Sequence, residues 1–413
     1  MSNGDNAVLF GYYGTDKHSD AGESMKLFEH IHQATFTNRP NRFIIECGID
    51  GRSVRAYLPN PGRLWELLLP GSTLYLAKHA SSSGKRTEYM VVAVEKDGMP
   101  IMLHTHHTNT VARRLIEDGE MPGLNNAKII KPEVTIGNSR FDFLLETGGQ
   151  EMALEIKSCT LFGRTMAMFP DAVTARGRRH ILELAELARS GMKTGVIFIV
   201  HSPRIEYFMP EHHTDLAFSH ALLSVRNDIM VKAVSVEWTK DLSLGSRVKE
   251  LTIPWELIEK ESHDRGSYIV ILHLKRERTI RIGEIGDLRF KKGYYLSVGS
   301  AAKDLTQRLE RHRRLTKKVH GDVDHLRQHA EWVAGLPIRT ADDIDCEIAA
   351  AVATIADWPV PGFGSSDCPC ATHLFGMNEN PVHHRKFIEL LLDFRINRLE
   401  RSASHARDSL STP

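Results

Sequence analysis

Residues 139–159 read SRFDFLLETGGQEMALEIKSC, two runs of alternating apolar and polar residues around a Gly148-Gly149 turn. Period-two alternation on both sides of a Gly-Gly dipeptide predicts a β-hairpin. Successive strand residues face opposite ways, so Leu154 and Ile156 point into a core while Glu155 and Lys157 share the other face. Pairing through the turn sets Asp142 beside Glu155. Two carboxylates at one sheet edge suit Mg²⁺ or Mn²⁺, hard cations that keep waters and bridge to substrate phosphate. Such a metal activates a bound water, and Lys157 would hold that water or the negative phosphate. A Glu-x-Lys triplet alone is ordinarily a solvated strand face. The apolar alternation and the neighbouring elements set this one apart.

Outward from the hairpin, TNTVARRLIEDG (108–119) predicts a helix carrying Val111 and Leu115 and stopped by Gly119. AKIIKPEVTIG (127–137) reads as a strand whose Glu133 is a candidate third carboxylate, although a surface Glu is the plainer reading. TARGRRHILELAELARSG (174–191) predicts a helix burying Ile181, Leu184, Ala185, Leu187 and Ala188 and ending at Gly191. Arg176, Arg178, Arg179 and His180 open it, where the helix dipole and free N–H groups favour phosphate; an exposed helix start is the competing reading. GVIFIV (195–200) has the continuous apolar character of a strand buried on both faces. A helix at 213–226 and the strand MVKAVSVEW (230–238) complete a mixed α/β layer over 109–240.

Upstream, five short runs (RFIIECGI, SVRAYL, STLYLAKHA, EYMVVAVE, MPIMLHT) separated by DG, NPG, PG, SSSGK and DG predict an OB-like β-barrel within 26–108. LPNPGRLWELL (58–68) reads as a loop feeding a short helix with Leu64, Leu67 and Leu68 on its apolar face. Residues 1–25 and 400–413 read as tails and 241–265 as a polar linker. Residues 266–399 form a third unit of strands followed by the basic helix DLTQRLERHRRLTKK.

The chain of 413 residues carries 53 Lys plus Arg against 52 Asp plus Glu, yet residues 266–330 alone hold 15 basic and 7 acidic side chains, a balance of +8. That excess predicts a face for a polyanion, with a solvated helix face as the alternative. Hydrophobic residues at 41% exclude wholesale disorder, and no apolar run approaches the roughly 20 residues of a membrane helix. The expectation is a cytoplasmic protein without disulfides, its cysteines being five in number. Cys368-Pro369-Cys370 with His373, joined by Cys346, has the ligand types for zinc. The short C-x-C-x-x-H spacing favours small buried cysteines in a Gly-rich turn instead.

The motifs RPNRF (39–43), LPNPGRLWELL (58–68), SRFDFLLE (139–146), LEIKSCTL (154–161) and FPDAVTARGRRH (169–180) together resemble the sugar fermentation stimulation protein A family over residues 26–240. The resemblance implies an OB-like barrel, a PD-(D/E)XK-like α/β nuclease domain, DNA binding and a role in sugar utilisation. It places Asp142 and Glu155 as metal ligands and Lys157 as the catalytic lysine. Pro61 departs from the Thr usual in that family's Asn-x-Gly-Arg motif, while Asn60, Gly62 and Arg63 are kept, with Arg63 a nucleic-acid contact.

The third unit resembles the GIY-YIG nucleases through Gly266-Ser267-Tyr268, FKKGYYLSVGSA (290–301), LTQRLERHRR (305–314), Glu347 and PGFGSSDCPCATHLF (361–375). Carried over, Glu347 is the metal ligand and Tyr268 and Arg308 the catalytic pair, with Arg311, His312 and Arg313 as phosphate contacts. Ser297 occupies the second motif's tyrosine position, which speaks against cleavage by this unit.

The expectation is thus an α+β multidomain fold of OB-like barrel, PD-(D/E)XK-like α/β domain and GIY-YIG-like α+β domain. The expected function is DNA binding with a Mg²⁺-dependent centre hydrolysing phosphodiester bonds. A non-catalytic DNA-binding regulator on nuclease scaffolds is the alternative.

Overall fold

The computed structural model describes residues 25–79, 87–365 and 368–410. The SSSGK turn and residues 1–24 of the expected N-terminal tail lie outside the described residues.

The first unit contains β1 (Ile31–Asn41), β2 (Ile44–Ile49), β3 (Arg52–Tyr57), β4 (Thr73–Lys78), β5 (Tyr89–Lys96) and β6 (Met99–Met102). Their order is β3-β2-β1-β4-β5-β6, and a parallel pairing of β3 with β5 closes the first five into an OB barrel. Five strands were expected, but the membership differs. MPIMLHT is an appended strand, whereas Ile31–Asn41 supplies the missing stave. That segment, IHQATFTNRPN, is rich in exposed polar residues and bends through register shifts between Phe36 and Asn41, which hides its alternation. LPNPGRLWELL is a single turn rather than a helix: the N–H groups of Leu67 and Leu68 donate to Leu64 O at 3.2 and 2.9 Å. Leu64, Leu67 and Leu68 are buried as expected.

The second unit runs through α1 (His107–Glu117), β7 (Lys128–Ile136), β8 (Ser139–Thr147), β9 (Gln150–Cys159), β10 (Leu161–Phe162), β11 (Met166–Phe169), α2 (Ala175–Arg189), β12 (Lys193–Val200), β13 (Tyr207–Pro210), α3 (Leu216–Val225), β14 (Met230–Trp238), β15 (Leu244–Glu250) and α4 (Trp255–Glu261). A six-stranded mixed sheet has the order β15-β14-β12-β9-β8-β7. Apolar β12 lies between β9 and β14, parallel to both, as its continuous hydrophobic run requires. β10, β11 and β13 form a small separate sheet.

Residues 241–265 are not a linker. They contain β15, antiparallel to β14, and α4, whose Leu257 and Ile258 are buried. β15 is an edge strand (LGSRVKE) without a fully buried residue, so its composition imitates a connector.

The third unit comprises β16 (Gly266–Leu274), β17 (Arg278–Ile282), β18 (Gly286–Phe290), β19 (Gly293–Ala301), α5 (Leu305–Arg313), α6 (Asp322–Arg327), β20 (Glu331–Arg339), α7 (Asp345–Ala353), β21 (Trp358–Pro359), β22 (Leu374–Met377), α8 (Arg385–Leu392) and α9 (Arg398–Leu410). Its main sheet is ordered β20-β16-β19-β22-β21. The expected tail from residue 400 is instead α9, which buries Leu399 and Ala403 completely or nearly so. Its high proportion of Ser and Arg conceals that one apolar stripe. Among the described residues no helix is long and apolar enough to cross a membrane.

The third unit is docked through buried polar contacts. Arg395 donates to Glu211 Oε1 at 3.0 Å and to Thr214 Oγ1 at 2.8 Å. His213 Nδ1 accepts from Arg339 N at 2.9 Å, so its Nε2–H donates to Arg395 O at 2.7 Å. Burial holds His213 well below its ordinary pKa, consistent with a neutral ring bridging two backbones. His213→Ala would orphan both backbone groups at about 1–3 kcal/mol each. Its expected outcome is a lower Tm and faster proteolysis between the second and third units; wild-type values for both would show that the bridge carries no weight.

Candidate active site

The hairpin β8–β9 pairs Phe143 with Leu154, which brings Asp142 and Glu155 to adjacent positions as the alternation predicts. Asp142 then replaces a ladder bond: its Oδ2 accepts Ile156 N at 2.7 Å, while Asn109 Nδ2 from α1 donates to its Oδ1 at 2.7 Å. Burial and the neighbouring Glu155 charge push Asp142 up to about 6.

Glu155 is 4% exposed. Its Oε1 takes the Lys157 ammonium and His180 Nδ1, the latter at 2.7 Å. Burial alone would raise this carboxyl, but the His180 hydrogen bond and the Lys157 charge hold it below the usual range. Its Oε2 is buried without a hydrogen-bond partner. A buried carboxylate oxygen left unpaired costs free energy unless something else meets it.

These three side chains line a cleft of about 840 Å³. The barrel contributes Arg39, Arg42, Asn60 and Arg63, the second unit Asp171 and Arg176, and the third unit His383. Gly62 is required where the loop passes Asp171: a Cβ there would collide with that carboxylate.

Several expected contacts have other duties. Arg63 lines the cleft but spends its guanidinium on Asp171 O and Thr214 Oγ1, both at 2.6 Å, clamping the barrel to the second unit. Of the α2 residues, Arg176 is exposed on the cleft wall, whereas Arg178 and Arg179 lie outside the lining and Arg179 faces Glu183. His180 is buried behind Glu155, so it is a support for the carboxylate rather than a phosphate contact. Glu133 is turned away and pairs with Arg140.

In the third unit Tyr268 and Arg308 do meet, with Arg308 Nε donating to Tyr268 Oη at 3.2 Å. The tyrosine ring lies against Gly299, where a Cβ would come within 2.6 Å of its hydroxyl. His312 and Arg311, expected as phosphate contacts, are instead internal partners of Asp324, at 3.1 and 2.7 Å. Asp324 is fully buried, and Lys317, the His320 N–H, His312 and Arg311 together outweigh its burial and hold its pKa far down. Arg313 remains exposed beside Glu310. Glu347 is exposed on the first turn of α7, and no hydrogen bond ties it to Tyr268 or Arg308. Ser297 is buried opposite Val270, while Tyr294 stacks on His273 and Tyr295 donates to Lys291 O, so neither tyrosine replaces the missing one.

Asn109, Asp171, Arg39 and Arg42 were not singled out by sequence as site residues. Asn109 reads as an ordinary helix-start residue, and nothing local shows that α1 crosses the hairpin at Asp142.

Family models match three consecutive stretches: "SfsA N-terminal OB domain" at 38–103, "Sugar fermentation stimulation protein RE domain" at 106–241 and "Domain of unknown function DUF123" at 267–395. The sugar fermentation stimulation protein homolog of Methanothermobacter thermautotrophicus is 37% identical over 196 residues, covering 48% of this chain and 81% of that protein. The homolog of Desulfitobacterium hafniense DCB-2 is 36% identical over 215 residues, 52% of this chain and 92% of that protein. The solved structure of Pyrococcus furiosus SfsA in complex with Ca²⁺ superimposes with a TM-score of 0.51 at 31% identity, covering 56% of this chain and 99% of that one.

The raised Asp142 pKa carries a sign. The folded chain keeps this proton up to pH about 6, whereas the unfolded chain releases it near the ordinary 3.8. Ionisation therefore opposes folding fully above pH 6, and the penalty fades as pH falls from 6 towards 4. In EDTA, Asp142→Asn should raise Tm by a few degrees at pH 8 and by nothing near pH 4; a pH-independent difference would remove the burial argument.

Proposed function

The chain belongs to the sugar fermentation stimulation protein family, and from that membership we propose that it binds nucleic acid, DNA foremost, in a cleft equipped for metal-dependent phosphodiester hydrolysis. The carrying observation is the pairing of half-buried Asp142 with buried Glu155, with Lys157 alongside, on the wall of a cleft that the barrel helps to form. The arrangement supports a PD-(D/E)XK type of nuclease centre.

The residues fit a divalent cation. Glu155 Oε2 is an orphaned acceptor, and Asp142 is a carboxylate whose neighbour opposes its ionisation until a positive charge arrives. That the Pyrococcus relative was solved with Ca²⁺, another oxygen-seeking ion, is consistent with this. When bound, Mg²⁺ or Mn²⁺ would acidify a water and neutralise charge developing on the phosphate. Asn109 and the Ile156 N–H orient Asp142; His180 orients Glu155. Lys157 is the cation positioned to hold an anionic oxygen. Arg42 and Arg176 are both exposed on the cleft, and although Arg176 Nε donates to His180 Nε2 at 3.4 Å, both can present guanidinium N–H groups to backbone phosphates.

The third unit fits a grip better than a second GIY-YIG-like cutter. Its Tyr268–Arg308 pair is present, but Ser297 fills the second tyrosine position and Glu347 stands apart in bonding. For the third unit these departures favour the second reading, a DNA-binding regulator of sugar-utilisation genes that cuts nothing, while the Asp142, Glu155 and Lys157 set of the second unit argues against it.

Labelled single-stranded, duplex and branched DNA and RNA, incubated with Mg²⁺ or Mn²⁺, provide the test. Asp142→Asn should lose about 10²–10³-fold or more of any cleavage while keeping or tightening binding. Glu347→Gln should cleave like wild type. Loss in Glu347→Gln alone would move the centre to the third unit, and no cleavage with tight salt-sensitive binding would establish the regulator.

Arg42→Ala with Arg176→Ala should weaken binding alike on all sequences and reduce the salt slope by about two, one for each lost phosphate contact. An unchanged slope would place the nucleic acid elsewhere.

A further inference from the structure

Far from the carboxylate cleft in chain order, four soft ligands converge. Cys346 stands on the first turn of α7, and Cys368, Cys370 and His373 stand on the loop between β21 and β22. One ligand atom from each lies within 4.8 Å of all the others. His373 Nε2 is 3.4 Å from Cys368 Sγ and 3.8 Å from Cys346 Sγ. In tetrahedral zinc with bonds of about 2.3 Å to sulfur and 2.0–2.1 Å to nitrogen, neighbouring S···N and S···S edges are about 3.5 and 3.8 Å. The two His373–sulfur separations therefore match coordination edges, and all four atoms lie within 4.8 Å of one another.

We propose that Cys346, Cys368, Cys370 and His373 form a structural zinc site that pins the start of α7 to the loop before β22. Four protein ligands leave no open position, so the metal takes no part in hydrolysis. The short C-x-C-x-x-H spacing that argues against zinc in sequence still gathers its three ligand atoms, and the fold adds Cys346 from 22 residues upstream of Cys368. The loop is otherwise built to present His373: its N–H donates to Phe363 O at 2.8 Å and its carbonyl accepts Val298 N from β19 at 2.9 Å. A divalent cation would supply the positive charge that three crowded thiolates need. Glu347 follows Cys346 directly, so the site also fixes the turn that carries this exposed carboxylate.

Metal analysis of the purified full-length chain tests the proposal. About one tightly held zinc per chain is expected. Mercurial titration should release it, and Co²⁺ exchange should produce the intense visible bands of a tetrahedral thiolate site. Cys159→Ala, in the barrel–sheet core, and Asp142→Asn should both retain zinc. Cys368→Ser with Cys370→Ser should lose it, and should expose Cys346 to alkylation. Protein without zinc or a cobalt spectrum, with its thiols free or with a mass deficit restored by reductant, overturns the assignment. Zinc retained by the double Cys→Ser variant overturns it equally, and the Asp142→Asn arm keeps this outcome separate from the nuclease reading.

Discussion

The barrel and the mixed sheet have no separate interiors. One contiguous cluster joins Phe36, Ile45, Leu58 and Val91 of the barrel to Phe141, Ala153, Ile181 and Phe198 of the second unit. A second joins Tyr75 and Val92 to Val111, Leu154 and Ile156. Burying an apolar side chain is worth about 1.5–3 kcal/mol, so separating the two units would expose more than the fold could tolerate. The cleft is therefore lined by two units that share their cores. The third unit joins through a mixture of contacts: Leu69 and Trp65 of the barrel loop pack into its core, while Arg339, Arg395 and Arg398 reach buried polar groups of the second.

Within that frame the site is an electrostatic compromise. Glu155 is kept ionised by His180 and Lys157, and its charge in turn opposes ionisation of Asp142. The strand end gives Asp142 a backbone donor and α1 gives it an amide, so the carboxylate is oriented before any ligand arrives. Such preorganisation is what a centre stabilising developing charge requires.

The third unit treats its own charge differently. Several of the basic side chains of residues 266–330 already have acid partners: buried Asp324 takes Arg311 and Lys317, and exposed Glu331 and Glu277 take Lys275 and Arg289. The count of basic residues in a segment thus overstates the number of cations available to a polyanion, because some are already held by acids.

Short-range pattern determined a good deal. Alternation around Gly148-Gly149 settled the β8–β9 hairpin and the meeting of Asp142 with Glu155, and the apolar run of β12 settled its central place, since both depend only on strand period and burial. Strand β1, edge strand β15 and helix α9 were illegible because polar residues dominate segments whose few buried positions matter. The roles of Asn109, His180, Arg63, Arg311 and His312 belong to tertiary structure alone. Each is set by a partner 12 or more residues away, Asp142, Glu155, Asp171 with Thr214, and Asp324, and a residue's type does not reveal which buried charge or carbonyl will claim it. The gathering of Cys346 with Cys368, Cys370 and His373 is of the same kind: the ligand types were visible in the chain, and only the packing of α7 against the loop brought them within reach of one ion.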